Sequence, residues 1–168
     1  SRGISIGNKK NNKVQLNAYS YDSIDFDIDG INIKSKLKIS GPEIINNFLL
    51  AFSMAYFSKV KDINELKNQI PLLKNPKGRY EVINYENGDI IVDYSHTPEA
   101  IEKVIKYTKE RYKKDIIVVF GAGGNRDSSK RKFMGEAVQD AEKIIITNDN
   151  PRKENQIDIS KQILEVID

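Results

Sequence analysis

The sequence predicts an α/β protein in two parts, a small β-sheet with helices followed by a domain on a mostly parallel sheet. Three observations support this prediction. Apolar and polar residues alternate within residues 1–39, a wide apolar stripe of helical spacing runs over 44–55, and from Gly78 onward short apolar runs alternate with helical patterns. Alternating strands and helices are typical of right-handed βαβ units, in which the strands are parallel.

The first part is predicted to begin with antiparallel strands. Apolar and polar residues alternate along Val14–Ala18, Ile24–Ile28 and Ile31–Lys34, which is the period of a half-buried strand. Asp29-Gly30 lies between the last two runs and signals a two-residue hairpin. We expect this sheet to be structural, with no chemistry of its own.

Two helices are predicted after these strands. Residues 41–43 (Gly-Pro-Glu) suit a helix N-terminus, because proline and an acid are favoured in the first turn. The apolar stripe that follows predicts a mostly buried helix, and a second helix is predicted over 62–70. Two prolines and a glycine within 71–78 predict a linker, which divides the chain into domains 1–76 and 77–168.

The second part is predicted to alternate strands and helices. Asn87-Gly88 signals a hairpin, and Thr97 is a predicted helix N-cap. The predicted elements are strand Tyr80–Tyr85, strand Asp89–Asp93, helix 98–112, strand Ile116–Phe120, helix 130–140, strand Ile144–Thr147 and helix 157–167. About three parallel strands are few for a doubly wound sheet, so we expect the domain to be truncated.

The composition excludes several classes of function. The net charge of +3 is small beside 27 basic and 24 acidic residues, and no Lys/Arg-rich run is interleaved with aromatics, so we expect no nucleic-acid partner. The absence of cysteine excludes disulfides, thiolate metal sites and cysteine nucleophiles. A single histidine, His96, disfavours a catalytic triad or a histidine zinc site. No apolar run is long enough to span a bilayer, and residues 1–4 lack the apolar pattern of a signal peptide, so we expect neither feature in this sequence.

Polar and charged residues follow three of the predicted strands. Residues 93–98, 121–127 and 147–152 each come directly after an apolar run. Because the carboxyl ends of parallel strands share one edge of a sheet, we expect these three segments to form one site.

The glycine-rich residues 121–124 (Gly-Ala-Gly-Gly) begin the second of these segments. They depart from the dinucleotide fingerprint, because the third glycine comes one residue after the second. A tight turn that needs positive φ is an equal interpretation. Arg126 favours a ligand-binding loop over a plain turn, because a guanidinium at this place can form two parallel hydrogen bonds to a carboxylate or a phosphate. An ion pair between Arg126 and Asp127 is the structural alternative.

Residues 149–152 (Asp-Asn-Pro-Arg) are a further candidate. Asn150 can donate and accept hydrogen bonds, Pro151 stiffens the backbone, and Arg152 offers a second guanidinium fork. Two arginines and an amide suit a ligand that carries both an amine and a carboxylate. A plain strand-to-helix turn is the alternative.

Two other charged residues could meet a nucleotide. Asp93 could bind a ribose hydroxyl or hold a neighbouring cation. Arg79 could reach a nucleotide or pair with Glu81.

Several of these segments occur in a characteristic order. They are Gly41, Asn47 and Ala51, then Gly78–Glu81, Val92–Pro98, Val119–Asp127, Lys130-Arg131, Met134-Gly135 and Asp149–Arg152. In this order they resemble the Mur ligases of peptidoglycan synthesis. The Asp-Asn-Pro-Arg form is similar to that of the branch that adds diaminopimelate.

The resemblance implies a fold and an activity. The fold would be the end of a central ATPase domain followed by the first part of a Rossmann-like C-terminal domain. The activity would be that of a cytoplasmic, monomeric amide ligase that uses ATP and Mg²⁺. Its substrates would be a UDP-N-acetylmuramoyl dipeptide and diaminopimelate or a close analogue, joined through an acyl phosphate, with no nucleic-acid or membrane partner. The family's phosphate-binding loop and metal ligands are absent from this sequence, so we expect the piece alone to be inactive.

The resemblance also implies roles for individual residues. The nucleotide contacts would be Asn47, Arg79, Asp93, Tyr94 and His96. The incoming diamino acid would be held by Arg126, Asp149, Asn150, Pro151 and Arg152. No catalytic residue or metal ligand is assigned, and the roles of Lys130 and Arg131 stay open. The alternatives are another ligase of the superfamily, such as a folylpolyglutamate or cyanophycin synthetase, and a non-catalytic nucleotide- or amino-acid-binding remnant.

Overall fold

The computed structural model of the chain describes residues 5–7 and 12–167. The chain divides into two compact units, Ser1–Val92 and Asp93–Asp168. The α/β class is confirmed, whereas the domain division at residue 77 stays a prediction. None of the helices in the described ranges is long and apolar enough to cross a membrane.

The described residues of the first unit form a four-stranded sheet, two helices and a separate hairpin. The sheet order is β1-β2-β3-β4, with β1 parallel to β2 and the other neighbours antiparallel. The elements are β1 (Ile6–Gly7), β2 (Val14–Tyr19), β3 (Ser23–Ile28), β4 (Ile31–Lys36), α1 (Ile44–Phe57), α2 (Ile63–Gln69), a 3₁₀-helix (Ile70–Leu72), β5 (Glu81–Tyr85) and β6 (Gly88–Val92).

The core of the first unit forms between β3 and α1. Ile24, Phe26 and Ile28 are buried, and the polar residues between them are only half-buried. The Phe26 ring lies edge-on to two rings of α1, with centroids 5.8 Å from Phe48 and 5.2 Å from Phe52. Burying each such side chain stabilises the fold by about 1.5–3 kcal/mol.

Helix α1 is buried along one face only. Phe48, Leu49 and Phe52 are buried, but Leu50 and Met54 are exposed. The prediction of a mostly buried helix is therefore wrong for its outer face. Packing against one sheet covers a single stripe of the helix, and the width of an apolar stripe in sequence does not tell how much of it is covered.

The hairpin between β3 and β4 is confirmed. Ile28 pairs with Ile31, which leaves Asp29 and Gly30 as the two loop residues. Both have positive φ, 49° and 81°, as a two-residue turn that matches strand twist requires.

The hairpin between β5 and β6 differs from the prediction by one residue. Tyr85 pairs with Gly88, so the loop is Glu86-Asn87 and the predicted Asn87-Gly88 turn is wrong. The Asn84 side chain donates to Asp89 Oδ1 across the strands at 2.8 Å, which supports this register. Among the described residues, β6 pairs with β5 alone.

The second unit is built on a parallel strand pair with helices packed on one face. Phe120 pairs with Ile146 at the carboxyl ends of the two strands. The described elements are α3 (Pro98–Tyr112), β7 (Ile117–Phe120), α4 (Lys130–Ala137), β8 (Lys143–Ile146) and α5 (Gln156–Leu164). The order β7-α4-β8 is the βαβ unit that the sequence predicts, although α4 and α5 each end three residues earlier than predicted.

One face of this strand pair carries the core of the second unit. Ile101 and Ile105 of α3 and Met134 of α4 are buried against it. On the other face, Ile117 and Val119 are 63% and 60% exposed. Helix α3 begins as predicted, with Thr97 Oγ1 accepting from Ala100 N at 3.3 Å.

Candidate functional site

Two loops meet where β7 and β8 end. We call residues 121–127 the glycine loop and residues 147–155 the Asp149 loop. Gly124 N donates to Asn150 O at 2.9 Å, and Lys153 N donates to Asn125 Oδ1 at 2.9 Å. The shared sheet edge expected for three segments is found for the two that follow β7 and β8. The place of residues 93–98 at this edge stays a prediction.

The glycines of the glycine loop are required by close approach of the Asp149 loop. A Cβ added at Gly121 would lie 2.2 Å from Thr147 O, and one added at Gly124 would lie 1.9 Å from Pro151 O. Neither glycine has positive φ. The interpretation that this segment needs positive φ at glycine is therefore wrong. Asn125 is the residue of the glycine loop that has positive φ, at 50°.

The backbone N–H groups of the glycine loop are used by the protein itself. Gly124 N donates to Asn150 O, and Asn125 N donates to the Glu154 carboxylate. A loop that cradles phosphate needs such N–H groups to be available to the anion. At these two positions they are not.

Arg126 lies on the glycine loop and is exposed. Its guanidinium has no hydrogen bond or ion pair within the described residues, so the alternative pairing with Asp127 is not formed. Asp127 instead accepts from Ser129 Oγ at 2.6 Å and from Ser129 N at 3.1 Å. The hydrogen bond from the Ser129 hydroxyl is the main reason that the pKa of Asp127 is lowered.

The predicted residues of the Asp149 loop are held against the glycine loop. Arg152 adopts a φ of 51°, its N–H donates to Asn150 Oδ1 at 3.1 Å, and its Nη1 donates to Gly124 O. The Asp149 carboxylate lies beside Gly123, with Oδ2 3.5 Å from the position of an added Cβ. The structure thus brings Asp149, Asn150 and Arg152 together next to the loop that carries Arg126.

Arg131 and Glu154 join the two loops. The sequence leaves the role of Arg131 open and does not identify Glu154 as a candidate. The Arg131 side chain is 2% exposed and forms a two-pronged ion pair with Glu154, with N–O distances of 2.8 and 3.0 Å. Arg131 shares a buried stripe with Met134 and Val138, and an arginine at that spacing was the available signal. No local pattern marks Glu154.

The residues before α3 form a separate group in the second unit. Asp93 is half-buried and its Oδ1 accepts from Ser95 N at 2.9 Å and from the Ser95 hydroxyl. The rings of Tyr94 and His96 meet edge-on with centroids 5.3 Å apart, and both side chains are exposed. An acid beside an exposed aromatic pair at a helix N-terminus is compatible with a nucleoside ligand.

The remaining predicted residues, Asn47 and Arg79, lie in the first unit and are exposed. Asn47 is in the first turns of α1. The backbone of Arg79 is held by the Asn75 side chain, which accepts from Ser40 N at 2.9 Å and donates to Arg79 O at 2.7 Å. The next residue, Tyr80, is buried with φ 46° against Gly41.

The comparisons with known proteins agree on one family. Residues 78–167 match the family described as Mur ligase, glutamate ligase domain. The chain is 36% identical over 148 residues to the UDP-N-acetylmuramoyl-L-alanyl-D-glutamate–2,6-diaminopimelate ligase of Rickettsia bellii (strain RML369-C), covering 86% of this chain and 31% of that protein. It is also 36% identical over 174 residues to the protein of the same name from Buchnera aphidicola subsp. Schizaphis graminum (strain Sg), covering 96% of this chain and 35% of that protein.

A solved structure supports the same comparison. It is the structure of a UDP-N-acetylmuramoyl-L-alanyl-D-glutamate–2,6-diaminopimelate ligase, with a TM-score of 0.62 and 28% identity. The match covers 95% of this chain and 34% of that chain. The chain therefore spans about a third of the length of the relatives that it matches.

Proposed function

The chain belongs to the Mur ligase family, and we propose that the protein containing it is an ATP-dependent amide ligase of peptidoglycan synthesis. It would add meso-diaminopimelate, or a close dicarboxylic diamino acid, to UDP-N-acetylmuramoyl-L-alanyl-D-glutamate. The proposal includes a monomeric protein in the cytoplasm. It also includes a division of this chain into the end of a central ATPase domain, 1–76, and the first part of the C-terminal domain, 77–168.

The observation that carries the proposal is the pairing of the two loops after β7 and β8. It gathers an acid, an amide and a guanidinium, from Asp149, Asn150 and Arg152, beside the loop that carries Arg126. A carboxylate and an amide oxygen suit the ammonium of an amino acid, and guanidinium groups suit its carboxylate. This combination fits the end of a diamino acid that carries both groups.

The role of this chain in the proposed reaction is to hold the amine substrate. ATP would supply the phosphoryl group that activates the γ-carboxylate of D-glutamate as an acyl phosphate. Arg126 and Arg152 would hold the distal carboxylate of diaminopimelate while Asp149 and Asn150 hold its distal ammonium, with Pro151 stiffening the loop. Fixing that end leaves the other amine, in its neutral form, to attack the acyl carbon in a set orientation. Phosphate would leave and the new amide nitrogen would lose a proton, so the part of this chain is a positioning contribution.

The described residues do not supply a set of magnesium ligands. Within 5–7 and 12–167, no group of three or more His, Asp or Glu side chains could hold a metal ion. The two N–H groups noted above are also unavailable to phosphate. We therefore propose that Mg²⁺ and the ATP phosphates bind to parts of the protein outside these residues, and that this chain alone is inactive.

The nucleotide contacts are proposed from the family and are considered for each unit separately. In the first unit they are Asn47 and Arg79. In the second unit Asp93 would accept from a ribose hydroxyl, with Tyr94 and His96 close by. Asn47, Arg79, Tyr94 and His96 are exposed, and Asp93 is half-buried.

The proposal is tested by a turnover assay on the full-length protein. UDP-N-acetylmuramoyl-L-alanyl-D-glutamate, ATP and Mg²⁺ are incubated with either meso-diaminopimelate or L-lysine, and the amide product is measured by mass spectrometry. Lysine lacks the second carboxylate, so we expect kcat/KM for lysine to be lower by about a hundredfold or more. Equal use of lysine, or no product with diaminopimelate, would refute the proposed substrate.

A further inference from the structure

Arg131 is a charged residue on the apolar face of α4. Its neighbours on that face, Met134 and Val138, belong to the core of the second unit, and its own side chain is 2% exposed. A guanidinium at such a position is stable only if its N–H groups are paired. The pairing partners therefore define what this residue does.

The partners of Arg131 come from three separate segments. Nη1 donates to Glu154 Oε2 at 2.8 Å, and Nη2 donates to Glu154 Oε1 at 3.0 Å, which makes a planar fork onto the Asp149 loop. Nη1 also donates to Gln162 Oε1 on α5 at 2.8 Å. Nη2 lies 3.4 Å from Gly123 O, on the glycine loop.

Glu154 extends this connection to the other side of the glycine loop. Its carboxylate accepts from Asn125 N as well as from Arg131. The N–H of Glu154 donates to Pro151 O at 3.0 Å, so the backbone at Glu154 is tied to the residue before Arg152. The ion pair of Arg131 with Glu154 thus contacts both loops, and Glu154 also closes the backbone turn 151–154 that contains Arg152.

We propose that Arg131 is a positioning residue for the diamino acid, which acts by holding the glycine loop and the Asp149 loop together through Glu154. It does not touch the substrate. It sets the separation of the two loops, and thereby the place at which Arg126 and the residues 149–152 meet the ligand. This inference rests on the proposed function.

Loss of the Arg131 ion pair should affect the binding of diaminopimelate more than the binding of ATP. Arg131→Met keeps much of the apolar volume but removes the fork, so the loops lose their common anchor. We expect the KM for diaminopimelate to rise by about tenfold or more, because small displacements of positioning groups have large effects. The KM for ATP is expected to stay within about twofold of the wild type. Arg131→Lys keeps the positive charge but not the two-pronged geometry. We expect its KM for diaminopimelate to lie between those of the wild type and Arg131→Met.

Two control variants separate positioning from other effects of the substitution. Lys132→Met removes one positive charge from the same helix at an exposed position, and we expect both KM values to be unchanged. Ile105→Ala removes a buried side chain of α3 from the same core and leaves the ion pair of Arg131 with Glu154 in place, and we expect a lower melting temperature with an unchanged KM for diaminopimelate. A rise in that KM in Ile105→Ala equal to the rise in Arg131→Met would overturn the inference.

Hydrogen–deuterium exchange gives a readout that does not depend on turnover. In the full-length protein, the amides of Gly124 and Asn125 are expected to exchange about tenfold faster in Arg131→Met, while the amides of α3 keep their protection. Unchanged exchange at these two amides would overturn the inference by itself. Normal turnover by the wild type with no selective KM change in the Arg131 variants would do the same. A wild-type protein that does not use diaminopimelate would instead overturn the proposed function, and this inference with it.

Discussion

Replacing Gly124 with alanine tests the claim that the glycine loop exists to let two backbones touch. The added Cβ would lie 1.9 Å from Pro151 O and 2.6 Å from Pro151 C. Ordinary contacts of an added Cβ begin at about 3.4 Å, so Pro151 must move by about 1.5 Å or the glycine loop must retreat. Either movement breaks the hydrogen bond from Gly124 N to Asn150 O, which is now 2.9 Å.

The expected cost combines two effects. Forcing a group into a closely packed position costs about 1–3 kcal/mol. The lost backbone hydrogen bond adds about 1 kcal/mol. We therefore expect Gly124→Ala to lower the free energy of unfolding of the second unit by about 2–4 kcal/mol.

The adjacent residue supplies the matched control. A Cβ added at Gly123 would meet Arg152 Nη1 at 3.0 Å, which is the end of a flexible side chain, and Asn150 O at an ordinary 3.5 Å. We expect Gly123→Ala to cost less than about 1 kcal/mol. Urea unfolding followed by circular dichroism resolves the difference, because slopes of about 1–3 kcal/mol/M place the two midpoints about 1 M apart. Equal midpoints for the two variants would refute the close-approach explanation.

Two further predictions concern the Asp149 loop. In the full-length protein, Arg152→Lys should raise the KM for diaminopimelate by about tenfold or more, because lysine cannot reproduce the fork, and leave the KM for ATP nearly unchanged; an equal rise in both would contradict the assignment. The pKa of Glu154 is lowered from its ordinary 4.5, chiefly by the hydrogen bonds from Arg131. A lowered folded-state pKa contributes stability above pH 4.5 that is lost as the pH falls through the folded-state value. The free energy of unfolding should therefore fall more steeply with acid in the wild type than in Glu154→Gln, and parallel curves from pH 7 to pH 3 would contradict this.

The elements that the sequence predicts correctly are those specified by neighbouring residues. The Asp29-Gly30 turn follows from two residues that accept positive φ, and the start of α3 follows from Thr97 and Pro98. The strand ends after Phe120 and Ile146 follow from apolar runs that stop at polar residues. In each of these cases the relevant interactions lie within a few residues along the chain.

The features that the sequence does not predict depend on contacts between distant segments. Gly121 and Gly124 look like turn residues until the Asp149 loop is placed against them. Glu154 pairs with a residue 23 positions earlier, and nothing local distinguishes it from other acids on the surface. The β5–β6 register is a smaller case, because Asn87-Gly88 and Glu86-Asn87 are both acceptable turns and pairing across the strands decides between them.

The crossover through α4 has a consequence for the order in which the site forms during folding. Because β7 and β8 are parallel, the chain must pass through α4 before Phe120 can pair with Ile146. Contacts that close a long loop form slowly, since the entropy of closure is lost before the contacts are gained. The guanidinium of Arg131 is carried to the loops by that same helix. We therefore expect the two loops to meet only once this crossover has closed, so that a substitution that prevents β7 from pairing with β8 would also separate the residues that we propose to hold the diamino acid.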